Sequence, residues 1–479
     1  MTSIENSKRR SKRSRARKGL ALLALVAFAA MGPSAPARAN ALHVALERAF
    51  APALAHADDW SLVVLDANGR TLFADRPDRA LTPASTLKLI VASAALARLG
   101  PDYRFSTILA ARDPIDADGT LGGDLWLEGS GDPSLVREDL SGAARLLAAS
   151  GLHRVAGRVI VDANAVAPPE INPLWNSADA NEGFQAPTSG ISLDEDTVEF
   201  HVVAGTPGSN ARVTFVPPSS AVRFDGMVQT LSRDAAPDVS IDATAIPNGY
   251  RVSGSIPAGD EEKIWVPVHG LAHYAGAVFD RMLRDHGIAL SAPASTGVTP
   301  LDARILWTHR SAPLRKLVAF MLVHSNNHFA EQLMRRLGAI GGTASDADGL
   351  AAERAFLRER DIPTPGLHTV DGSGLAHADR AAAITFASVL VDAQRRGGDA
   401  SLLDLLPLGG KQGTLKDYHF TAALGRVRAK SGHLDGVDSL AGYVTTRHHG
   451  RVAFAFVIDG VSRRADASIV QAVDALAAM

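Results

Sequence analysis

The sequence predicts a domain of mixed α/β (α+β) class that is interrupted by a large, mainly β insertion. One predicted β-hairpin lies near each end of the chain, with helical segments between them, so both ends are expected to build one sheet. The middle of the chain instead shows short alternating strands. The 479 residues, 46% hydrophobic and 21% charged, have the composition of a globular protein of roughly three domains.

Two hairpins define the expected sheet. The first is Ser61–Leu65 followed by Thr71–Ala74, joined by an Asn-Gly pair that tolerates positive φ. The second is Leu440–Thr446 followed by Arg451–Ile458. A final helix is predicted after it, because apolar residues recur on one helical face: Ile469, Val470, Val473 and Leu476.

The insertion is predicted over residues 113–302, which leaves 40–112 and 303–479 as the two parts of the interrupted α/β domain. Its short strands are separated by Pro, Gly and Asp: Arg158–Val161, Thr197–Val203, Ala211–Val216 and Tyr250–Ile256. One helix is expected inside it, at Leu271–His286, ended by Gly287. The insertion is therefore expected to form one or two small domains.

Residues 1–39 have the features of a signal peptide. Eight basic side chains precede an uncharged stretch, Gly19–Met31, which is shorter than the about 20 residues that cross a bilayer. Ala37-Arg38-Ala39 then gives a small-x-small cleavage pattern, so cleavage is expected after Ala39. The mature protein is expected to be exported and periplasmic, with at most peripheral membrane association; an uncleaved membrane anchor is the alternative.

Charge and cysteine content exclude several classes of function. The net charge of −2 divides into +8 on residues 1–39 and −10 on the remaining 440 residues. A mature chain of that sign is a poor candidate for binding nucleic acid, which depends on neutralising phosphates. The chain has no cysteine, which excludes thiolate nucleophiles, disulfides and cysteine metal ligands.

The first chemical motif is S-x-x-K at Ser85 and Lys88. Pro83 precedes a helical run, which places the serine in the first turn and the lysine one turn later on the same face. A serine hydroxyl becomes nucleophilic when a neighbouring base takes its proton, and a buried lysine can be that base. The motif alone is weak evidence, since a serine at a helix start often only caps the helix.

Two more motifs follow in the chain. Ser325 and Asn327 form S-x-N in a helical stretch, and Lys430-Ser431-Gly432 leads into the second hairpin. The order S-x-x-K, S-x-N, K-S-G is close to the motif set of serine β-lactamases and penicillin-binding proteins. Three motifs in order are far more specific than any one of them.

On these motifs the chain resembles the D-Ala-D-Ala carboxypeptidase/endopeptidase family, the low-molecular-mass class C penicillin-binding proteins. Further similar segments are spread over residues 42–460: GSGDPSL at 129–135, FQAPTSGISLDEDTV at 184–198, SNNHFAEQL at 325–333, DGSGL at 371–375 and LPLGGKQGTL at 406–415. The resemblance implies a penicillin-binding-protein-like catalytic domain. The 240 residues between Ser85 and Ser325 leave room for the insertion.

The resemblance also implies the function and its residues. The chain would be a serine D,D-peptidase that removes terminal D-alanine from peptidoglycan stem peptides, with cleavage of D-alanyl cross-links left open and β-lactams as covalent inhibitors. Ser85 would be the nucleophile, Lys88 the general base and Ser325 the proton relay. The implied substrate-binding residues are Asn327, Lys430, Ser431, Gly432, His433 and Asp179. Backbone N–H groups of Ser85 and His433 would form the oxyanion hole.

Two positions depart from the family pattern. The family has Thr or Ser after its Lys-Thr-Gly, whereas His433 stands there in this chain, so recognition of the substrate carboxylate is expected to be weaker or assisted by charge. Asp179 matches only loosely an acidic residue that contacts substrate from the insertion in the family. The alternative interpretation is that Asp179 is a solvated carboxylate in a loop.

Parts of the sequence are compatible with functions other than that of a peptidase. His324 and His328 with Glu331 lack the H-E-x-x-H order of a zinc site, so no metal and no cofactor is expected. A β-lactamase shares the three motifs, but no segment resembling E-x-x-L-N lies between Asn327 and Lys430. A non-catalytic peptidoglycan-binding scaffold would not need a nucleophile paired with a base. The oligomeric state is left open.

Overall fold

The computed structural model describes residues 35–340, 344–398, 401–462 and 464–479. Residues 1–34 of the predicted signal peptide therefore lie outside the described residues. Its last five residues, 35–39, form part of the first helix. None of the helices in these ranges combines the length and the apolar character needed to cross a membrane.

The first part of the chain contains two helices and three strands. They are helix α1 at Ala35–Leu54, strands β1 at Asp59–Leu65, β2 at Thr71–Asp75 and β3 at Ala80–Leu81, and helix α2 at Lys88–Arg98. A 3-10 turn at Ala84–Leu87 comes directly before α2. As predicted, β1 and β2 form an antiparallel hairpin, and Gly69 in its turn has φ +76°.

The middle of the chain is mainly β. Its elements are β4 Ser106–Ala111, β5 Thr120–Leu121, β6 Leu125–Glu128, α3 Arg137–Ala149, β7 Arg154–Val155, β8 Val159–Asp162, β9 Thr197–Val203, β10 Arg212–Val216, β11 Arg223–Gly226, β12 Gln229–Leu231, β13 Asp238–Ala243, β14 Gly249–Pro257, β15 Glu261–Pro267, α4 Leu271–Asp285, β16 Ala289–Leu290, β17 Ser295–Thr296 and β18 Arg304–Arg310. The predicted helix at 271–286 is confirmed as α4, which ends one residue earlier.

The last part returns to helices and long strands. Its elements are α5 Leu314–His324, α6 Asn327–Gly338, α7 Asp346–Glu359, β19 Ala381–Ala382, α8 Ala383–Arg396, β20 Val427–Leu434, β21 Val437–Thr445, β22 Arg451–Asp459 and α9 Asp466–Ala478. The second predicted hairpin is β21–β22, and its first strand begins three residues earlier than the pattern indicated.

The two ends of the chain build one antiparallel sheet, as the sequence predicted. Its order is β2-β1-β22-β21-β20, and β1 pairs with β22 across nearly 400 residues of chain, for example Leu62 with Phe456. Both faces of the sheet are covered. One face packs against α1 and α9 through side chains such as Leu46 and Ile469, and the other packs against α2 and α8 through side chains such as Leu390.

The strands from β4 to β18 form sheets of their own and share no strand with the five-stranded sheet. A separate core fills them, in which α3 and α4 pack on the strands; Leu140, Val159, Phe200 and Phe279 are among its fully buried side chains. The division of the chain at 113 and 302 stays a prediction.

Candidate active site

Ser85 lies in the 3-10 turn before α2, and Lys88 is the first residue of that helix. The i,i+3 spacing brings the two side chains together, with Lys88 Nζ 2.8 Å from Ser85 Oγ. The turn packs closely against the segment that contains Gly374. Ala84 has φ +49°, and its carbonyl oxygen lies so close to Gly374 that a Cβ there would be 1.9 Å away. Only glycine fits at position 374.

Three acceptors surround the amine of Lys88, which is fully buried. Nζ is 2.8 Å from Ser85 Oγ, 2.7 Å from Asn327 Oδ1 and 2.7 Å from the carbonyl oxygen of Ser373. A neutral amine has two N–H donors and one lone pair. The amide and the carbonyl oxygens can only accept, so they take the two donors, and the lone pair is left for the hydroxyl proton of Ser85.

Burial also favours the neutral form of this amine. Loss of hydration lowers the pKa of Lys88 from 10.5 to about 7, against the opposing attraction of Asp371, Glu331 and Asp379. A base with a pKa near neutrality can accept a proton at physiological pH and return it later. The geometry and the pKa therefore both suit Lys88 to activate Ser85.

The S-x-N motif forms the turn between α5 and α6. Ser325 ends α5 in a left-handed conformation, with φ +57°, and Asn326 caps α6 by accepting from the backbone N–H of Phe329 at 2.9 Å. Asn327 connects two parts of the chain, because its Oδ1 accepts from Lys88 and its Nδ2 donates to the carbonyl oxygen of Phe184 at 2.9 Å. Within the described residues, no hydrogen bond joins the half-buried hydroxyl of Ser325 to Ser85 or Lys88.

The third motif lies on β20, the edge strand beside the nucleophile. Lys430 is fully buried and donates to the carbonyl of Ser431, and burial together with the charge of Lys88 holds the pKa of Lys430 well below its usual range. A Cβ on Gly432 would lie 2.9 Å from the backbone nitrogen of Ser85. The absence of a side chain at Gly432 therefore lets the strand run directly alongside the nucleophile.

His433 is held by a carboxylate that the sequence did not single out. The imidazole Nδ1 lies 2.5 Å from Oδ1 of Asp438, its partner across the β20–β21 hairpin. Asp438 is buried and its other oxygen accepts from the backbone N–H of Ala465, whereas the His433 side chain is 47% exposed. Because a carboxylate only accepts, Nδ1 carries the hydrogen, and the remaining ring nitrogen is Nε2, which accepts in the neutral imidazole and donates when the ring is protonated.

The DGSGL segment supplies a second contact that sequence reasoning missed. The carbonyl oxygen of Ser373, in this segment, accepts from Nζ of Lys88 at 2.7 Å. Asp371 fixes the turn, because it accepts from the indole Nε1 of Trp175 at 2.9 Å and from the backbone N–H groups of Gly374, Leu375 and Ala376. In the sequence, the similarity of DGSGL to the family is the signal that could have indicated a role for this segment.

Several carboxyl groups are buried beneath Lys88. Burial and the nearby Asp371 raise the pKa of Glu331 to about 8 and that of Asp379 to about 10. Burial also raises the pKa of Glu353 well above its usual value. Burial therefore makes each of these carboxyl groups harder to ionise than an exposed one.

The remaining predicted residues lie elsewhere or have structural partners. Asp179 lies in a 3-10 turn, where it accepts from the side chain of Asn176 at 2.9 Å. Among the described residues it forms no hydrogen bond with any of the three motifs. His328 is buried, and its Nε2 lies 3.0 Å from Asp196 and from Ser192, whereas His324 packs on the ring of Phe320. The two histidines therefore do not converge on one point.

Comparisons with known proteins agree with this geometry. The model of the D-Ala-D-Ala carboxypeptidase 3 (S13) family matches residues 43–479. A D-alanyl-D-alanine carboxypeptidase of Actinomadura sp. is 31% identical over 444 residues, which cover 88% of this chain and 81% of that protein. The carboxypeptidase DacB of Haemophilus influenzae is 27% identical, over 84% and 83%. The crystal structure of penicillin-binding protein 4 from H. influenzae has a TM-score of 0.78 at 24% identity and covers 90% of this chain and 97% of its own.

Proposed function

Because the chain belongs to the D-Ala-D-Ala carboxypeptidase S13 family and is a serine carboxypeptidase of peptidoglycan metabolism, we propose that it works through an acyl-enzyme on Ser85. The observation that carries this proposal is the position of the Lys88 amine, whose Nζ lies 2.8 Å from Ser85 Oγ and 2.7 Å from each of two oxygen acceptors, on Asn327 and Ser373.

The reaction begins with proton transfer from Ser85 to Lys88. The Ser85 oxygen attacks the carbonyl carbon between the two D-alanines, and backbone N–H groups of Ser85 and His433 stabilise the oxyanion. The C–N bond then breaks. The proton passes through Ser325 to the leaving amine, and D-alanine departs. A water molecule hydrolyses the ester on Ser85, which restores the hydroxyl and Lys88.

The substrate is held by groups on both sides of Ser85. Asn327 and the backbone at Gly432 position the peptide next to the nucleophile. Lys430 and Ser431 bind the terminal carboxylate. His433 adds a donor at Nε2 when its imidazole is protonated, because Asp438 occupies its other nitrogen. The half-buried Asp179 belongs to the same proposal as an outer contact in the insertion.

The place of action follows from the substrate. We expect an exported, periplasmic enzyme cleaved after Ala39, and the first buried side chain described in α1 is Leu42, so cleavage there would leave the packed part of the helix intact. Penicillin-binding protein 4 of H. influenzae has been solved in complex with a β-lactam, which supports β-lactam binding by this chain, and the proposed nucleophile Ser85 would make that inhibition covalent. Cleavage of D-alanyl cross-links is a second activity that the same acyl-enzyme chemistry permits.

The test is covalent labelling with fluorescent penicillin together with release of D-alanine from a pentapeptide ending in D-Ala-D-Ala. Wild type is expected to be labelled and active, and Ser85→Ala to be neither, with an unchanged thermal unfolding midpoint. Ser141→Ala, which changes a half-buried serine on α3, is the matched control and should behave as wild type. Unlabelled wild type, or a labelled Ser85→Ala variant, would overturn the acyl-enzyme proposal.

A further inference from the structure

A pocket of about 230 Å³ lies at one end of the five-stranded sheet, and none of the described residues that line it belongs to the three motifs. Three arginines contribute to it: Arg426, Arg428 and Arg451. One carboxylate, that of the exposed Asp404, also lines it. With three guanidinium groups and one carboxylate, the lining has a formal charge of +2, although the chain from residue 40 onward carries −10.

The register of the strands explains why the three arginines meet. On β20 and β22, Arg428 pairs with Tyr443 and Arg451 pairs with Thr445, and these two partners are two residues apart on β21. Side chains alternate along a strand and directly opposite residues share a face, so Arg428 and Arg451 project from the same face of the sheet. Arg426 lies beside them, because its carbonyl oxygen accepts from the backbone N–H of Thr445 at 3.0 Å.

The protein itself does little to compensate these charges. Within the described residues, no ion pair joins any of the three arginines to a carboxylate, and the one side-chain hydrogen bond that they form runs from Arg428 to the carbonyl oxygen of Leu406 at 2.8 Å. All three arginines are half-buried, so each loses part of its hydration, and like charges held as neighbours repel each other. An anion bound between them would offset both costs.

We propose that this pocket binds a phosphate group, as the free ion or as part of a phosphate-bearing molecule. A guanidinium donates two parallel hydrogen bonds to a phosphate or a carboxylate. A carboxylate has only two oxygens, whereas a phosphate has enough oxygens to accept from more than one guanidinium at the same time. The pocket is smaller than the about 300–1,000 Å³ that holds a drug-sized ligand, so it suits a small anionic group. Arg426 and Arg451 are the main donors, because their side chains form no hydrogen bond with a described residue.

The pocket also involves a segment to which the mechanism assigns no role. Leu408, in the LPLGGKQGTL segment, lines the pocket and pairs with Arg428 in an isolated β-bridge. The same segment ends in the turn where Thr414 accepts from the hydroxyl of Ser431 at 2.7 Å. A phosphate held by Arg428 would therefore fix this segment and the start of β20 together. Because a ligand that binds only the folded state stabilises it, phosphate should raise the thermal unfolding midpoint.

The experiment titrates the purified protein with inorganic phosphate and with glycerol 3-phosphate in a calorimeter, at constant ionic strength. Wild type should bind both saturably. Arg426→Gln and Arg451→Gln should each weaken binding at least roughly ten-fold, as for loss of hydrogen bonds to a charged group. Without phosphate, neither variant should have a lower unfolding midpoint than wild type, because removing one of the charges relieves repulsion. Release of D-alanine should be unchanged in both, since neither residue is part of the active site.

The matched control is Arg447→Gln, which removes an exposed arginine from the turn between β21 and β22 and should bind phosphate as wild type does. Sedimentation with phosphatidylglycerol vesicles, against phosphatidylcholine vesicles, distinguishes the sources of the phosphate. Sedimentation that Arg451→Gln loses assigns a lipid headgroup, and phosphate binding without sedimentation assigns a soluble phosphate. No saturable phosphate binding by wild type, full binding by both pocket variants, or equal weakening by Arg447→Gln would each overturn the proposal.

Discussion

The pH dependence of acylation tests the assignment of Lys88 as the general base. Burial lowers the pKa of this amine from 10.5 to about 7, a difference that corresponds to about 5 kcal/mol between its two protonation states. Only the neutral amine can take the proton of Ser85. Because deprotonation makes the amine reactive, the rate of acylation must rise as pH increases through the pKa of Lys88.

The size of the effect follows from that pKa. With a pKa near 7, roughly one tenth of the molecules carry the neutral amine at pH 6 and roughly nine tenths at pH 8. The rate of acylation by saturating penicillin should therefore be about ten-fold higher at pH 8 than at pH 6, with a midpoint near 7. An ordinary lysine would instead give a rate that keeps rising to the alkaline limit of the assay.

The assay is the time course of labelling by fluorescent penicillin between pH 5.5 and 8.5. Lys88→Arg keeps the positive charge but cannot lose a proton, so it should be about 10²- to 10⁴-fold slower and show no rise. His433→Thr removes the nearby imidazole and should keep the rise of wild type, since the rise belongs to Lys88. A profile that is flat in wild type, or a rise that persists in Lys88→Arg, would refute the reasoning.

Three further variants test other parts of the site. Asp438→Asn removes the buried partner of His433 and should raise KM for a D-Ala-D-Ala peptide about ten-fold with little change in kcat; a fall in kcat alone would contradict this. Gly432→Ala adds a Cβ 2.9 Å from the backbone nitrogen of the nucleophile, so penicillin labelling should slow at least roughly ten-fold, and normal labelling would argue against this close approach. Trp175→Phe loses the indole donor to Asp371 and should lower the free energy of unfolding by about 1–3 kcal/mol in urea titrations. An unchanged urea midpoint would show that this hydrogen bond does not stabilise the fold.

The proximity of the two proposed catalytic side chains could be predicted because their spacing is local. Ser85 and Lys88 are one helical turn apart, so placing the motif at a helix start was enough to bring the two side chains together. The central sheet could also be predicted, because the turn residues and the alternation of each hairpin are local signals. The pairing of β1 with β22 then follows because each apolar strand is stabilised by forming hydrogen bonds with a neighbouring strand.

Contacts between distant segments could not be predicted in this way. The carbonyl oxygen of Ser373 accepts from Lys88, 285 residues away in the chain. Every residue has a backbone carbonyl, so the residue type at position 373 does not indicate this contact. The contact between His433 and Asp438 depends on the exact register of the β20–β21 hairpin, and a slip by one residue would turn the carboxylate to the other face.

The sequence by itself determined the fold class and the chemical groups, because helical spacing, turn residues and residue types are encoded locally. The tertiary structure alone decided how those groups behave. It buried Lys88 deeply enough to lower its pKa, left Asp179 in a 3-10 turn, and brought Arg426, Arg428 and Arg451 into one pocket. Burial and cavity shape depend on the packing of segments far apart in the chain, and the pattern of any one segment carries no information about that packing.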